Sequence, residues 1–316
     1  MNRNGVDFTF SWIFAIIAGA VIIVSAIYIS SQLINSGKKQ SDTLVAGELA
    51  NLFNPLETNL EDNKYSVIEF SQETRVYNEC SLDGFFGIQK ISTSSKSSKG
   101  EWSEQSIKKS VQNKYLFSRN REESSNKRLH VLVNPIDYPF KIGDAIIVYS
   151  GNYCFVNPPS DIEDLLNDLS IDGEKDIGIN LTSNVNQCPL NYTKVCFNRI
   201  GCDVNVETNS GTVTKSSKTS YYDGDSLMLA AILSDNEVYE CQIKRLMKRA
   251  RELGIIYNKK SIFIEGSGCS NNLASDLQNF VGYTNINNSR DFARLVVPLA
   301  KDLERRNSEL ASCKVF

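Results

Sequence analysis

Residues 12–29 have the sequence WIFAIIAGAVIIVSAIYI, which contains no charged residue. A helix rises about 1.5 Å per residue, so about 20 residues cross a hydrocarbon core of about 30 Å. A cleaved signal peptide has a shorter apolar stretch, about 7–15 residues, behind a basic start. Here the apolar run is longer, and the one basic residue before it, Arg3, is offset by Asp7. The sequence therefore predicts an uncleaved transmembrane helix over 8–34, preceded by a short tail, 1–7.

The orientation of this helix depends on the residues that follow it. Arg3 precedes the apolar run and Lys38 and Lys39 follow it, so the positive-inside count is nearly balanced and slightly favours a cytoplasmic C-terminal side. All eight cysteines and three Asn-x-Ser/Thr sequons lie after the run, however, and both features are typical of chains outside the cytoplasm. We therefore expect the residues after Lys39 to lie outside the cytoplasm. The sequon asparagines are Asn180, Asn191 and Asn287.

The cysteines are the clearest candidates for special chemistry. They are Cys80, Cys154, Cys188, Cys196, Cys202, Cys241, Cys269 and Cys313. No C-x-x-C pair is present and His130 is the one histidine, a pattern that favours disulfides over a zinc site; free buried thiols are the other alternative. Eight cysteines allow on the order of a hundred connectivities. One candidate pair is Cys241 with Cys313, because Cys241 begins one predicted helix and Cys313 follows the end of another.

Hydrophobic periodicity divides the rest of the chain. We predict an α+β fold with a stalk helix (35–63), a β-rich ectodomain (64–207) and a smaller α-rich C-terminal domain (208–316). Ser36-Gly37-Lys38-Lys39 predicts a break between the membrane helix and the stalk, although one continuous helix used for assembly is the alternative.

Local patterns predict individual elements within these segments. The serine- and lysine-rich stretch 92–100 predicts a mobile hairpin tip, and Asn209-Ser210-Gly211 and Asp223-Gly224 predict turns of a hairpin run. A helix over 237–253 is expected to end at Gly254. The predicted strands are 66–70, 75–80, 85–93, 112–117, 128–133, 145–156, 178–181, 194–197, 203–207 and 261–265, and further helices are predicted from Ser160, over 273–281 and over 290–311.

Motifs that suggest catalysis lack their partners. Gly224-Asp225-Ser226-Leu227 matches the GDSL signature of a hydrolase family, whose serine needs a histidine downstream, and no histidine follows His130. His130 alternates with apolar residues in a predicted strand; a nucleophile pair with Cys154 or any other thiol is the catalytic alternative. Gly266-Ser267-Gly268 lacks the pattern of a dinucleotide loop. We therefore expect no catalysis, no metal and no cofactor.

Charge adds two expectations. The formal net charge of −3 argues against a nucleic-acid-binding role, since such domains carry a large positive excess. One predicted helix nevertheless concentrates basic residues, which favours a solvated helix face, with anionic lipid headgroups or a polyanion as the alternative partners. These residues are Lys244, Arg245, Lys248, Arg249 and Arg251.

Three segments resemble a family. The opening 8–14 (FTFSWIF), the stretch 153–159 (YCFVNPP) and the later 195–197 (VCF) resemble uncharacterised single-pass membrane-anchored archaeal surface proteins, which implies a cell-surface location. The chain more weakly resembles type IV pilin-like proteins, in which a basic leader ending in glycine precedes an apolar helix. Here Gly5 precedes Val6, but the leader has one basic residue, and the acid is second after the glycine rather than fifth.

These observations favour a membrane-anchored structural or binding protein of the cell envelope. The alternatives are a pilin-like subunit that assembles through its N-terminal helix, and an envelope enzyme whose site has no recognisable motif. The expected partners are the lipid bilayer and other envelope proteins or a second copy. Ala15 and Gly19, four residues apart, are candidates for close helix association.

Overall fold

A computed structural model of the chain describes residues 10–58, 64–124, 126–171, 177–310 and 312–316, without the side chains of 10–15, 31–38, 50–58, 64 and 168–171. These residues form helices and several sheets, which confirms the α+β class. The helices are α1 (Phe10–Thr58), α2 (Ser160–Ile171), α3 (Gly224–Leu233), α4 (Asn236–Gly266), α5 (Ala274–Tyr283), α6 (Ser289–Asp291) and α7 (Val297–Ser308), with a π-helical turn (Phe292–Val296) joining the last two.

All the strands follow α1. They are β1 (Lys64–Glu69), β2 (Thr74–Ser81), β3 (Ile88–Ser95), β4 (Lys109–Val111), β5 (Tyr115–Phe117), β6 (Arg121–Glu123), β7 (Arg128–Asp137), β8 (Lys141–Tyr149), β9 (Tyr153–Val156), β10 (Ile179–Thr182), β11 (Thr193–Phe197), β12 (Val204–Glu207), β13 (Thr212–Lys215) and β14 (Lys218–Tyr221). Helix α2 lies between β9 and β10, and α3–α7 follow β14.

Helix α1 runs through the predicted break without interruption. It contains 49 residues and continues from the apolar segment to Thr58, so the predicted separation of membrane helix and stalk at 36–39 is wrong. Ser36-Gly37-Lys38-Lys39 contains no proline, and a single glycine costs a helix only about 1 kcal/mol, which the flanking turns offset. The end of the predicted stalk, 59–63, lies outside the described residues.

The predicted membrane span 8–34 is described with its side chains only at 16–30, and the other parts of that segment lie outside the described side chains. Among the described residues, no helix combines the length and the apolar character needed to cross a membrane.

The strands form three sheets. The central sheet has the order β1-β7-β8-β5, the outer sheet β4-β3-β2-β6, and the mixed sheet β10-β9-β11-β12-β13-β14. In the mixed sheet, β9, α2 and β10 form a parallel β-α-β unit, β11 and β12 extend the parallel part, and β13 and β14 are antiparallel.

The central sheet is buried on both faces. Because successive side chains of a strand point to opposite sides, Val131 of β7 lies in a smaller core shared with the outer sheet, and Leu132 lies in the main core. The main core contains helices α2–α5, the π-helical turn, α7 and one face of the mixed sheet, and it includes residues from Tyr115 to Val315. Helix α3 is buried from Leu227 to Leu233, so it is apolar on every side.

The mixed sheet crosses the predicted domain boundary at 207/208. Strand β12 ends at Glu207 and pairs antiparallel with β13, which begins at Thr212. The Asn209-Ser210-Gly211 turn forms between them, as predicted. The next turn is at Ser216-Ser217, where both φ angles are positive, and Asp223-Gly224 begins α3 instead of closing a hairpin.

Helix α4 is longer than its sequence indicates. It continues through Gly254 to Gly266, so the predicted helix end at Gly254 and the predicted strand 261–265 are both wrong. A Cβ on Gly254 would come within 2.8 Å of Val281 Cγ2, on α5. Gly254 therefore permits close packing of two helices and does not terminate one.

Two strand predictions also change. The predicted strand 145–156 is two strands, β8 and β9, separated by a turn in which Gly151 has a positive φ of 79°. Strand β3 begins at Ile88, and Phe85 before it lies exposed in the β2–β3 loop.

Candidate functional site

The described part of α1 before Ser30 has its apolar side chains exposed. Nine large apolar residues on consecutive turns are each 57–68% exposed, and they are Ile16, Ile17, Val21, Ile22, Ile23, Val24, Ile27, Tyr28 and Ile29. Water-soluble monomers rarely expose contiguous apolar surface on this scale, and such surfaces mark contact with membranes or other proteins. This segment, 16–30, is the exposed apolar half of α1 and the first part of the candidate site.

The second part is the docking of α1 on the outer sheet. The carboxylate of Asp42 accepts a hydrogen bond from Ser103 Oγ at 2.5 Å, and its backbone carbonyl accepts one from Thr93 Oγ1 at 2.7 Å. Asp42 is 3% exposed. Sequence analysis did not identify Asp42 as a docking residue. Its spacing of three residues from Val45 and seven from Leu49 places all three on one helix face, which was the available signal.

Apolar contacts continue this docking toward the C-terminal end of α1. Leu49 is buried in the smaller core with Ile68, Val76 and Ile91. The serines of 92–95 lie in β3 and are buried beside α1, so the predicted mobile tip over 92–100 is wrong for its first four residues. Their hydroxyls are compatible with burial because they find partners, such as Ser92 Oγ, which accepts from Gln105 Nε2 at 2.5 Å. A cleft of about 260 Å³ between Asp42, Val45 and Ile68 borders the docked helix.

The two residues predicted for helix association lie in the apolar half of α1. A Cβ on Gly19 would have no neighbour within 4 Å among the described residues, so this face of α1 is open. The side chain of Ala15 lies outside the described residues.

All eight cysteines form disulfides, which confirms the prediction of paired cysteines. The bonds are Cys80–Cys241, Cys154–Cys188, Cys196–Cys202 and Cys269–Cys313. The predicted pair Cys241–Cys313 is wrong, because Cys241 is in the second turn of α4 and faces β2, while Cys313 lies after α7 beside the segment that follows α4. Four disulfides fit an oxidising, extracytoplasmic environment.

The predicted solvated basic face of α4 contains one fully buried cation. Arg245 is 0% exposed. Its Nη1 donates to Lys114 O and to Gln242 Oε1, both at 2.8 Å, and its Nε donates to Phe86 O at 3.2 Å. Its guanidinium lies 5.1 Å from the centroid of the Tyr115 ring, and burial lowers its pKa. The expectation of a solvated face is therefore wrong for Arg245.

A chain of amides extends from Arg245 through the sheets. Gln242 Nε2 donates to Gln89 Oε1 and, at 2.9 Å, to Leu116 O. Gln89 Nε2 donates to Asn78 Oδ1, and Asn78 Nδ2 donates to Ser118 Oγ at 2.7 Å. This network joins α4 to β3 and β2 of the outer sheet and to β5 of the central sheet. Cys80–Cys241 crosses the same junction.

A second group of buried ionisable side chains lies where β6, β8 and β9 meet. Glu122 Oε1 accepts from the amide of Ser150 at 2.8 Å and from its hydroxyl at 2.6 Å. Glu122 Oε2 has no hydrogen-bond partner among the described residues. Burial raises the pKa of Glu122, against the opposing effect of Arg119. Arg119 Nη2 donates to Tyr153 Oη at 3.0 Å, and burial raises the pKa of Tyr153 to about 12.

Lys215 has a perturbed pKa and a structural role. Burial lowers the pKa of its amine to about 8, while Asp235 opposes this shift. Its Nζ donates to the carbonyls of Ala231 at 2.6 Å, Ile232 at 3.2 Å and Ser234. These are the last carbonyls of α3, which a lysine at a helix C-terminus stabilises. The amine is thus held by three backbone carbonyls, which indicates a structural role.

The two motifs that could suggest catalysis, His130 with a thiol and the GDSL stretch 224–227, have structural surroundings. Tyr65 Oη and His130 Nδ1 lie 2.6 Å apart, and the His130 ring stacks on that of Tyr149 at 5.0 Å. Cys154, its hypothetical partner, is bonded to Cys188 and cannot act as a thiolate. Ser226 lies in the first turn of α3, which leads into a buried helix.

Among the described residues, no group of three or more histidine, cysteine, aspartate or glutamate side chains is arranged to hold a metal ion. No protein family model matches the sequence, and comparisons with curated proteins and with solved structures find no similar protein. The candidate site is therefore the exposed apolar half of α1 together with the sheet that carries α1.

Replacing Arg245 tests the buried network. We expect Arg245→Met to lower the free energy of unfolding by about 1–3 kcal/mol, because it leaves the carbonyls of Lys114 and Phe86 and the side chain of Gln242 without a donor in the interior. Arg251→Ala, on the exposed side of the same helix, should change it by less than about 0.5 kcal/mol. The measurement is denaturant unfolding of both variants. Equal stabilities would show that the network does not hold α4 in place.

Proposed function

We propose that this protein is a non-enzymatic component of a cell envelope, anchored in a lipid bilayer by residues 8–34 and displaying its disulfide-bonded ectodomain outside the cytoplasm. In this proposal α1 inserts its apolar half in the membrane and carries the ectodomain on its other half. The ectodomain binds or scaffolds other envelope proteins.

The observation that carries the proposal is the contrast between the two halves of α1. Residues 16–30 expose nine large apolar side chains, whereas Asp42, Ala46 and Leu49 are buried against the ectodomain. In water this exposure is unfavourable by about 25 cal/mol for each Å² of apolar surface. The uncharged run 12–29 matches a bilayer core in length. A bilayer is therefore the environment that satisfies the apolar half.

The direction of insertion is supported by the disulfides of the ectodomain. The four disulfides lie after α1, and disulfides persist in oxidising compartments outside the cytoplasm. Because α1 does not break at 36–39, the ectodomain is held rigidly to the end of the proposed span. Residues 35–41 follow the proposed span and would extend about 10 Å along the helix, which places the docking at Asp42 just beyond the headgroup layer.

The membrane proposal is tested with two matched pairs of arginines. The double variant Ile22→Arg, Ile23→Arg places two cations in the apolar half of α1. Each cation makes the free energy of membrane insertion less favourable by about 2.5–3.5 kcal/mol near a bilayer centre. The control variant Leu44→Arg, Ile107→Arg replaces two similarly exposed apolar residues on the ectodomain side. Leu44 and Ile107 are 63% and 62% exposed, and Ile22 and Ile23 are 68% and 61% exposed. We expect alkaline carbonate to extract the first variant from membranes, and to leave the natural protein and the second variant in the pellet. Extraction of all three would overturn the anchor.

A second candidate function is a filament subunit that assembles through α1. Its specific support is the same uninterrupted helix, which has one half free and the other packed on an antiparallel sheet. The open face at Gly19 permits close helix contact in a fibre or in a membrane.

N-terminal sequencing of the mature protein distinguishes the two functions. Processing of a pilin-like leader after Gly5 would give a chain that starts at Val6. Arg3 is the one basic residue of that leader, and Asp7 stands directly after the new terminus. We therefore expect Met1 to Asp7 to be retained. A mature chain beginning at Val6 would contradict the simple anchor and favour filament assembly.

A further inference from the structure

The three sequon asparagines are all exposed on the folded ectodomain. Asn180 lies in β10, Asn191 in the turn before β11, and Asn287 just before α6. The Asn-x-Ser/Thr pattern permits attachment of a glycan to the asparagine side chain in proteins that pass outside the cytoplasm. Exposure leaves room for a glycan at each position, but their surroundings differ.

Asn180 lies in the strand that forms one edge of the mixed sheet, as the structure describes it. Strand β10 is the terminal strand of the mixed sheet and pairs with β9 alone among the described strands. Its sequence, Ile179-Asn180-Leu181-Thr182, has no charge and no proline. Charged residues, prolines, bulges or covering elements normally protect such edges from pairing with another chain. The sequence of β10 provides none of the residue types that do so.

The opposite edge of the same sheet is covered. On β14, the amide of Tyr221 donates to Ser289 Oγ at 2.9 Å, and Lys218 pairs with Glu237. Helices α4 and α6 thus meet that edge. The difference between the two edges indicates that β10 needs protection of another kind.

We propose that Asn180 carries an N-linked glycan, which shields the β10 edge from pairing with a second copy of the chain. The proposal rests on the extracytoplasmic location proposed above. In the modification, Asn180 Nδ2 attacks the anomeric carbon of a lipid-pyrophosphate-linked saccharide. The new N–C bond forms as the C–O bond to phosphate breaks, the lipid pyrophosphate leaves with the electron pair, and Nδ2 loses a proton.

The position of Asn180 suits this role. In the register of the parallel pair, Asn180 lies opposite Cys154, so the two side chains share one face of the sheet. That face carries the small cluster of Cys154, Cys188 and Val156, and Asn180 stands at its outer margin. A glycan there would project past the free edge of β10. Asn191 precedes β11, on the far side of β9, and a glycan there would leave the β10 edge open.

The test uses full-length protein from its native membranes, in detergent. We expect the peptide containing Asn180 to carry a glycan mass that Asn180→Gln removes completely. Asn180→Gln should also shift the protein from monomers toward larger species in light scattering, whereas Asn191→Gln should leave it monomeric.

Each contrary result has a distinct meaning. An unmodified Asn180 peptide overturns the glycosylation. A glycan whose removal by Asn180→Gln leaves the protein monomeric overturns the shielding. Neither result affects the anchor or the location, because carbonate extraction and labelling of the cysteines by a membrane-impermeant maleimide, before and after reduction, report on them independently of Asn180.

Discussion

The buried guanidinium of Arg245 is the interaction on which the ectodomain depends. It joins α4 to the backbone of the β2–β3 loop and of the segment before β5, and Gln242 and Gln89 extend the junction to the outer sheet. Burying a cation is costly unless its donors find acceptors; Nε and Nη1 find them here, while Nη2 has none among the described residues. Arg245 therefore favours the placement of α4 that keeps these acceptors within reach. The Cys80–Cys241 bond, across 161 residues of sequence, stabilises the same junction by about 5 kcal/mol in a chain-entropy description.

This junction explains how the folded ectodomain supports α1, a helix on its surface. The outer sheet is held by α4 at one place and carries α1 at another, through Asp42 and Leu49. Because α1 is a single helix of 49 residues, any force on its apolar half reaches the outer sheet directly. A rigid link of this kind suits a protein that holds its ectodomain at a fixed height above a membrane, and it also suits a subunit packed in a fibre.

Local sequence patterns predicted the elements that depend on local forces. The helix from Ser160 and the strands near Arg75 and Lys194 form close to their predicted positions. The failures have tertiary causes. Gly254 has the residue type of a helix end but serves the approach of α5, and the turn at Ser216-Ser217 has positive φ angles without the glycine or asparagine that usually indicates them. Burial of Arg245 and the pairing of Cys241 with Cys80 depend on which strands meet α4, which no local pattern specifies.

The candidate site was only partly predictable, for the same reason. Hydropathy alone indicates the apolar half of α1, and the exposure of Ile22 and its neighbours agrees with that indication. The docking half of α1 could not be predicted, because Thr93 and Ser103 are hydrophilic residues. In the structure Thr93 is buried and Ser103 is half-buried, and Asp42 accepts a hydrogen bond from each. A serine-rich stretch thus resembles a loop in sequence and forms a helix-binding strand in the structure.

The most direct test of the account is thiol labelling on intact cells with a membrane-impermeant maleimide, before and after a membrane-impermeant reductant. An extracytoplasmic ectodomain with four disulfides predicts no labelling before reduction and labelling of the ectodomain cysteines after it, without lysis. Labelling that requires lysis but no reductant would show eight free thiols on the cytoplasmic side, and it would contradict both the location and the disulfide-stabilised fold.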